Sequence, residues 1–495
     1  MALLARLRAL PSGAKWAVAL FLVLGYFPLF LHLDTLPARL FDESRQALSA
    51  LEVLRTGDWL VTRYQGVTDL YNTKPPLLFW LITASYALLG PGELAMRLPV
   101  AILAWLTCFV LLRYVWRLTG SPWTGLFAAL ILLTSGGYVT THVARTADFD
   151  APMIFFMFTS MVLLHRWSRA GDGHLVFWSL VLLSLGVFTK SVQAMLYLPG
   201  ILFALIWERR LVPLLKERWT YIGAGFFLLL IGGFLVLREG AEAGYLEAVL
   251  YNDITGRAGQ ALDGHAAPPE FYIKLLYTWQ FNHWWWMSLL GAALGLAHRD
   301  ETIRSWTRWL VCISVCYLVA ITSARTKMEW YNAPLLPLLA ALAAIPLHVV
   351  MFVLKEERIT PSFLAWRVLP ATLAILIFTV PYLTMLGKVY KPKENAWDWT
   401  YYDCAYAIRR AVREKVKPAA DVVCFKGDRQ HLDFQLALLH EAGSDLPYAD
   451  IGALASGTTV MLSQEAVEDE MIRSYHALLL ESRDAMRIYR ILGRK

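Results

Sequence analysis

The chain has 495 residues, 57% of them hydrophobic and only 17% charged, with a mean hydropathy of +0.46. Apolar residues at this density, gathered into long blocks, exclude an ordinary soluble globular protein and indicate a polytopic all-α membrane protein. The formal charge of +7 does not call for nucleic acid, because most Lys and Arg fall in short connectors between apolar blocks.

The first apolar block, 16–33, follows Arg6, Arg8 and Lys15 and has no small-residue exit site, so it reads as an uncleaved first span. Further blocks at 98–117, 122–142, 151–166, 175–190, 192–207, 219–237, 282–298, 306–323, 331–353 and 364–386 bring the expected count to about eleven. The stretch PPLLFWLITASYALLG, 75–90, is shorter and is bounded by Pro75-Pro76 and Gly90-Pro91-Gly92. It reads as a juxtamembrane or re-entrant helix in the first outer loop. With that stretch uncounted and the N-terminus in the cytoplasm, the cytoplasmic connectors are richer in Lys and Arg by about two to one. Residues 390–495 change in composition. DVVCFKGD, TTVMLS and AMRIYRIL read as strands and DFQLALLHEAG as a helix, which predicts a small α/β domain outside the cytoplasm. The expected domains are thus 1–389 in the membrane and 390–495 beyond it. Cys108, Cys312 and Cys316 lie in apolar blocks, whereas Cys404 and Cys424 lie in the tail, where an oxidising compartment would let them pair.

In this topology one face collects the acids Asp42, Glu43, Asp148 and Asp150. It also collects the bases Arg45, Arg63, Lys74, Arg145, Lys190, Arg257, Arg325 and Lys327. Ionisable groups at span ends are costly unless paired or wet, so such a gathering marks a functional cavity. Cations suit a phosphate, and an uncommitted carboxylate can take a proton from a hydroxyl. At a membrane surface, a sugar on a polyprenyl phosphate fits both. Lys74 stands before two prolines that stiffen the approach to a short helix. His265, in the long 238–280 loop, is a candidate acceptor contact.

FDESRQALSALEVLRTGDWLVTRYQG followed by NTKPPLLFWLITASYALLGPGELAMRLPVAI resembles the first extracytoplasmic loop of GT-C glycosyltransferases. The most similar types are the lipid A aminoarabinose transferases, the related galacturonosyl transferases and the protein O-mannosyltransferases. ARTADFDAPM, GVFTKS and RTKMEWYNAPLLPLLA resemble their later motifs in the same order. The resemblance implies that Asp42 is the base toward the acceptor, organised by Glu43 and Arg45. It implies that Lys74 and Arg257 hold the donor phosphate, and that Lys190 and Tyr331 line the donor cavity. Asp150, before Ala-Pro-Met, matches the second-loop acid better than Asp148 does. The aminoarabinose transferases usually have more spans than counted here, and the 238–280 loop matches theirs only loosely.

The expected reaction is inverting transfer of a sugar from a polyprenyl-phosphate donor to a lipid, glycan or protein acceptor. It would take place on the outer face of a bacterial cytoplasmic membrane, among membrane lipids and without nucleic acid. No cofactor is required for this chemistry; a divalent ion held by Asp42 and Asp150 is the alternative. The competing class is a transporter or flippase of a lipid-linked sugar. Transporters place their charges near the midplane on broken helices, whereas the charges here crowd one end of mostly unbroken blocks.

Overall fold

The computed structural model describes residues 11–140, 142–255, 265–356 and 368–495. In chain order the main helices begin with α1 (Ser12–Phe30), α2 (Asp42–Thr56), α3 (Leu77–Leu89) and α4 (Glu93–Thr119). They continue with α5 (Pro122–Leu133), α6 (Asp150–Ala170), α7 (His174–Lys190), α8 (Leu198–Trp207) and α9 (Arg218–Ala241, through a π turn). Then come α10 (Trp285–Leu296), α11 (Glu301–Ser323), α12 (Leu335–Glu356), α13 (Leu369–Val389), α14 (Ala396–Glu414), α15 (Gln430–Glu441) and α16 (Glu465–Ser474). The strands are β1 (Arg63–Tyr64), β2 (Val67–Thr68), β3 (Val422–Val423), β4 (Thr459–Leu462), β5 (Tyr475–Arg483) and β6 (Met486–Arg494).

Among the described residues, six helices are long and apolar enough to cross a membrane: α1, α4, α7 with its following turn, α9, α11 and α13. Five apolar helices are shorter: α3, α5, α8, α10 and the Leu335–Met351 part of α12. At 13 residues, α3 is about 20 Å long, against the ~30 Å of a hydrocarbon core. The block expected across 122–142 ends its helix early, at Leu133. Thr134 and Ser135 turn their hydroxyls back onto the Leu130 and Ile131 carbonyls, just before Gly136-Gly137.

The chain folds as two compact units. The first takes the described parts of Met1–Leu31, Asp69–Leu78 and Pro99–Tyr390. Within it α6 packs on α7, α7 on α9, α8 on α11, α10 on α12, and α5 on both α12 and α1. Small residues let these backbones approach closely, as membrane helices require. A Cβ on Gly291 would overlap the Leu342 carbonyl, and one on Gly200 would overlap the Ile313 Cα.

The second unit joins His32–Thr68 and Phe79–Leu98 to Lys391–Lys495, so it is assembled from both ends of the sequence. Its sheet runs β3-β4-β6-β5, with β3 and β4 parallel and the other pairs antiparallel. Val423 faces Met461 across the first pair, and Met461 faces Ile488 across the second. Those three side chains are buried with Ile408, Leu432 and Leu439 of the overlying helices. The strands and helix expected in the tail are present, and so is an edge strand, β5, that was not anticipated. Its Leu478-Leu479-Leu480 run has no alternation to betray it, and all three side chains are about half exposed. Cys404 and Cys424 are free and buried, and burial pushes their thiols up to about 12 and about 11.

Ion pairs stitch the two sequence ends together within this unit. Arg39 holds Glu394 through two bonds of 2.9 and 2.5 Å. Glu93 receives Arg409 at 3.4 Å and Gln435 at 2.9 Å. Asp433 accepts from Tyr64, Gln65 and Tyr448 at 2.8–3.0 Å, and the Arg45 guanidinium lies over the Tyr64 ring.

His431 of α15 gives this unit a pH dependence. It is fully buried, bonded through Nε2 to the Tyr401 carbonyl, and its Nδ1 has no partner among the described residues. Burial pushes the imidazole down to about 4. A neutral buried base favours the folded state above its unfolded value near 6.5, and that stability drains away as pH falls toward 4. The expected loss across this window is about 3 kcal/mol. Hydrogen exchange in 430–441, corrected for intrinsic rates, should show protection falling between pH 7 and 5 in the native chain and much less in His431→Gln.

Candidate active site

α2 begins at Asp42 directly after Phe41, whose φ of 65° lies in the left-handed region that disfavours a bulky side chain. Such strain, typically ~1–3 kcal/mol, persists where the surroundings over-determine it. The two acids that open α2 have opposite environments. Glu43 is fully buried and accepts from Arg97 Nε and Nη2 at 2.7 Å each, and from the Arg39 amide at 2.7 Å. Arg97 spends its remaining donors on the Leu33, Leu36 and Pro37 carbonyls. Asp42 is exposed and has no hydrogen-bond or ion-pair partner among the described residues. One carboxylate is therefore committed to holding the loop, and the other is available for chemistry. Arg63 pairs with Asp58 at 2.6 Å on the same unit.

The first unit brings together most of the other expected residues. Asp150, the first residue of α6, is buried and receives the Lys190 ammonium on both oxygens at 2.7 Å. Lys190 ends α7 and also faces the Tyr331 ring at 5.8 Å. Ser191 after it has a φ of 53°, and so does His142 at 52°, so strained backbone flanks this cluster twice. Asp148 lies 3.3 Å from His142 Nδ1, and the His142 ring stacks on Trp330 at 3.9 Å. Burial raises the Asp148 carboxyl, but His142, Thr146 and Lys190 outweigh it and hold it below the ordinary carboxylate range.

Lys74 reaches Asp253 at 2.7 Å. Its loop is strapped down by Tyr245, which donates to the Thr73 carbonyl, and by Asn252, which donates to those of Leu70 and Tyr71. The Lys-Pro-Pro approach is thus fixed by a segment distant in sequence. Arg145 caps α1 by donating to the Pro28 and Leu31 carbonyls at 3.0 and 2.8 Å. The Lys327 ammonium is turned onto the Ala324 carbonyl, while its amide bonds to the His265 carbonyl. Arg325 and His265 are exposed. Arg257 lies outside the described residues.

Three partners were missed by sequence reasoning: Arg97 on Glu43, Asp253 on Lys74 and His142 beside Asp148. Only Arg97 left a signal, since it heads the Arg-Leu-Pro run near the end of NTKPPLLFWLITASYALLGPGELAMRLPVAI. Asp253 and His142 stand in unremarkable surroundings in the sequence.

This geometry sits on a fold shared with known proteins. The ArnT of Cupriavidus metallidurans, crystallised bound to undecaprenyl phosphate, superposes with a TM-score of 0.70. The match covers 96% of this chain and 97% of that one, at 15% identity. Residues 73–236 match the family described as dolichyl-phosphate-mannose-protein mannosyltransferase. The fold is that of the GT-C superfamily of membrane proteins, and the chain resembles its aminoarabinose transferases and protein O-mannosyltransferases.

Two relatives match at the level of sequence. An undecaprenyl phosphate-alpha-4-amino-4-deoxy-L-arabinose arabinosyl transferase of Pseudomonas savastanoi is 28% identical over 337 residues, covering 66% of this chain and 60% of the relative. An uncharacterized protein of Aquifex aeolicus is 26% identical over 343 residues, covering 68% and 65%. The chain thus spans 60% to 65% of the length of these relatives.

Proposed function

We propose that this protein is an inverting glycosyltransferase that moves a sugar from a polyprenyl-phosphate donor to an acceptor hydroxyl or phosphate. The observation that carries the reading is the contrast at the start of α2, where Glu43 is locked by Arg97 and Asp42 is left open. The names of the relatives and the fold support the donor class. For a hydroxyl acceptor, Asp42 removes the proton as that oxygen attacks the anomeric carbon; an ionised phosphate oxygen attacks without this transfer. The bond from that carbon to the phosphate oxygen breaks with its electron pair going to the leaving polyprenyl phosphate. Lys74 stabilises the charge that develops there, exchanging Asp253 for phosphate. Lys190, held by Asp150, and the Tyr331 ring it faces form the donor side, and Asp148 with His142 and Trp330 forms an aromatic, polar wall beside it.

In this reading the chain crosses the bacterial cytoplasmic membrane about eleven times, with the acid pair and the tail outside the cytoplasm, as the charge bias of the connectors favours. The acceptor is a lipid A, polysaccharide or protein group. The names of the relatives support transfer rather than transport.

The test is turnover by the full chain in proteoliposomes, offered a panel of radiolabelled polyprenyl-phosphate sugars. Transfer or hydrolysis of one donor supports the reading and identifies the sugar. Intact labelled lipid crossing the bilayer, with no bond cleaved, would overturn it. Lys74→Ala is expected to weaken use of the donor by roughly 10- to 100-fold in kcat/KM, the worth of one charge-assisted bond. An unchanged kcat/KM in Lys74→Ala would show that Lys74 acts elsewhere.

A further inference from the structure

A second feature of the first unit is left unused by glycosyl transfer. A cavity of about 520 Å³ lies among α6, α7, α8 and the start of α9, lined by Leu164, Val176, Leu183, Ile201, Leu205 and Leu214. Its hydroxyls are all satisfied within the protein. Ser160 and Ser179 bond each other's carbonyls across α6 and α7, Tyr197 donates to the Pro334 carbonyl, and Thr220 donates to that of Leu214. A cavity whose polar atoms are already paired offers only apolar contact, which suits hydrocarbon. Leu202, about half exposed, and Leu211 stand at its edge.

The connector between α8 and α9 supplies the other half of the feature. Leu211 and Leu214 of its short helix, Leu211–Lys216, line the cavity. Arg209, Arg210, Lys216 and Arg218 around them are exposed, and none pairs with an acid among the described residues. Within the connector, Glu208 is engaged by Trp309 and lies near Arg308, which leaves Glu217, with Asp172 close by on the Gly173 turn, against four cations. His174, at the start of α7, packs against Trp219. The connector therefore sits at the end of α7 opposite Lys190 and its Asp150 partner.

We propose that the cavity and this basic connector together hold an anionic glycerophospholipid. One acyl chain fills the cavity, and the phosphate lies on Arg209, Arg210 and Lys216. Binding here is independent of the transfer reaction, because the donor groups lie at the other end of the helices. The charge complementarity selects the headgroup, and the dry cavity selects the chain.

The experiment is native mass spectrometry of the full chain released from an equimolar mixture of phosphatidylglycerol and phosphatidylcholine. Retention of phosphatidylglycerol by roughly tenfold over phosphatidylcholine is expected, the scale set by one or two surface cations. The combined variant Arg209→Gln, Arg210→Gln, Lys216→Gln changes only exposed side chains and should bring the ratio near one. Leu202→Trp, at the cavity edge, should lose both lipids. Equal retention by the native chain would overturn the proposal, as would an unchanged ratio in the triple variant. Displacement of phosphatidylglycerol from the native chain by undecaprenyl phosphate would also overturn it by giving the cavity to the donor's chain.

Discussion

Asp42→Asn is expected to lower sugar transfer by about 10²- to 10⁴-fold while the donor still binds, the span usual for removing a general base. Asn has the shape of Asp and cannot accept a proton. The native carboxylate is exposed and has no partner among the described residues, so the exchange breaks no contact there. The strained Phe41 that precedes it is unaffected, and α2 should start where it does now. Single-turnover transfer and donor retention, measured side by side in proteoliposomes, separate chemistry from binding. Transfer within a few-fold of the native rate would remove Asp42 from the role of base.

Its neighbour should behave in the opposite way. Glu43→Gln is expected to destabilise the unit built from both sequence ends by about 3–5 kcal/mol, because it strands the buried Arg97 charge. A Gln side chain has one acceptor oxygen, so it cannot receive Arg97 Nε and Nη2 as a pair while also serving the Arg39 amide. Thermal unfolding in detergent would read this as a lower midpoint, with lost activity following lost structure. Replacing both partners, Glu43→Leu with Arg97→Met, should recover much of the stability, since neither charge is then left alone. Failure of the double variant to improve on Glu43→Gln would show that the Arg97 bonds to the Leu33, Leu36 and Pro37 carbonyls matter more than the ion pair.

These two residues also mark how far the sequence could be read. The run FDESRQAL shows an acid pair at a helix start, and that much was legible. Which acid turns inward was not. Successive helix residues point about 100° apart, and the side that is buried depends on Arg97, which lies in a different element. Lys74 stood out because two prolines follow it, yet its Asp253 partner lies 179 residues further along the chain and carries no local pattern. Arg145 and Lys327 looked like ligand cations from composition, and both direct donors at backbone carbonyls. Hydropathy located the apolar blocks well but overestimated several helices, because a pair such as Thr134 and Ser135 ends a helix without lowering the window average much. The composite second unit was invisible, since its pieces are far apart and the tail alone resembles an ordinary small domain.

That composite construction has a consequence for synthesis. Glu394, Arg409 and Gln435 are made long after Arg39 and Glu93, the groups they hold. At roughly 5–20 residues per second, the acid-bearing loop waits on the order of tens of seconds before its partners leave the ribosome. Through that interval the α2 segment lacks the α15 face on which it packs. The acid-bearing loop is held only once these residues arrive, so a polypeptide cut short before Gln435 would lack partners for Glu93 and the α15 face of α2.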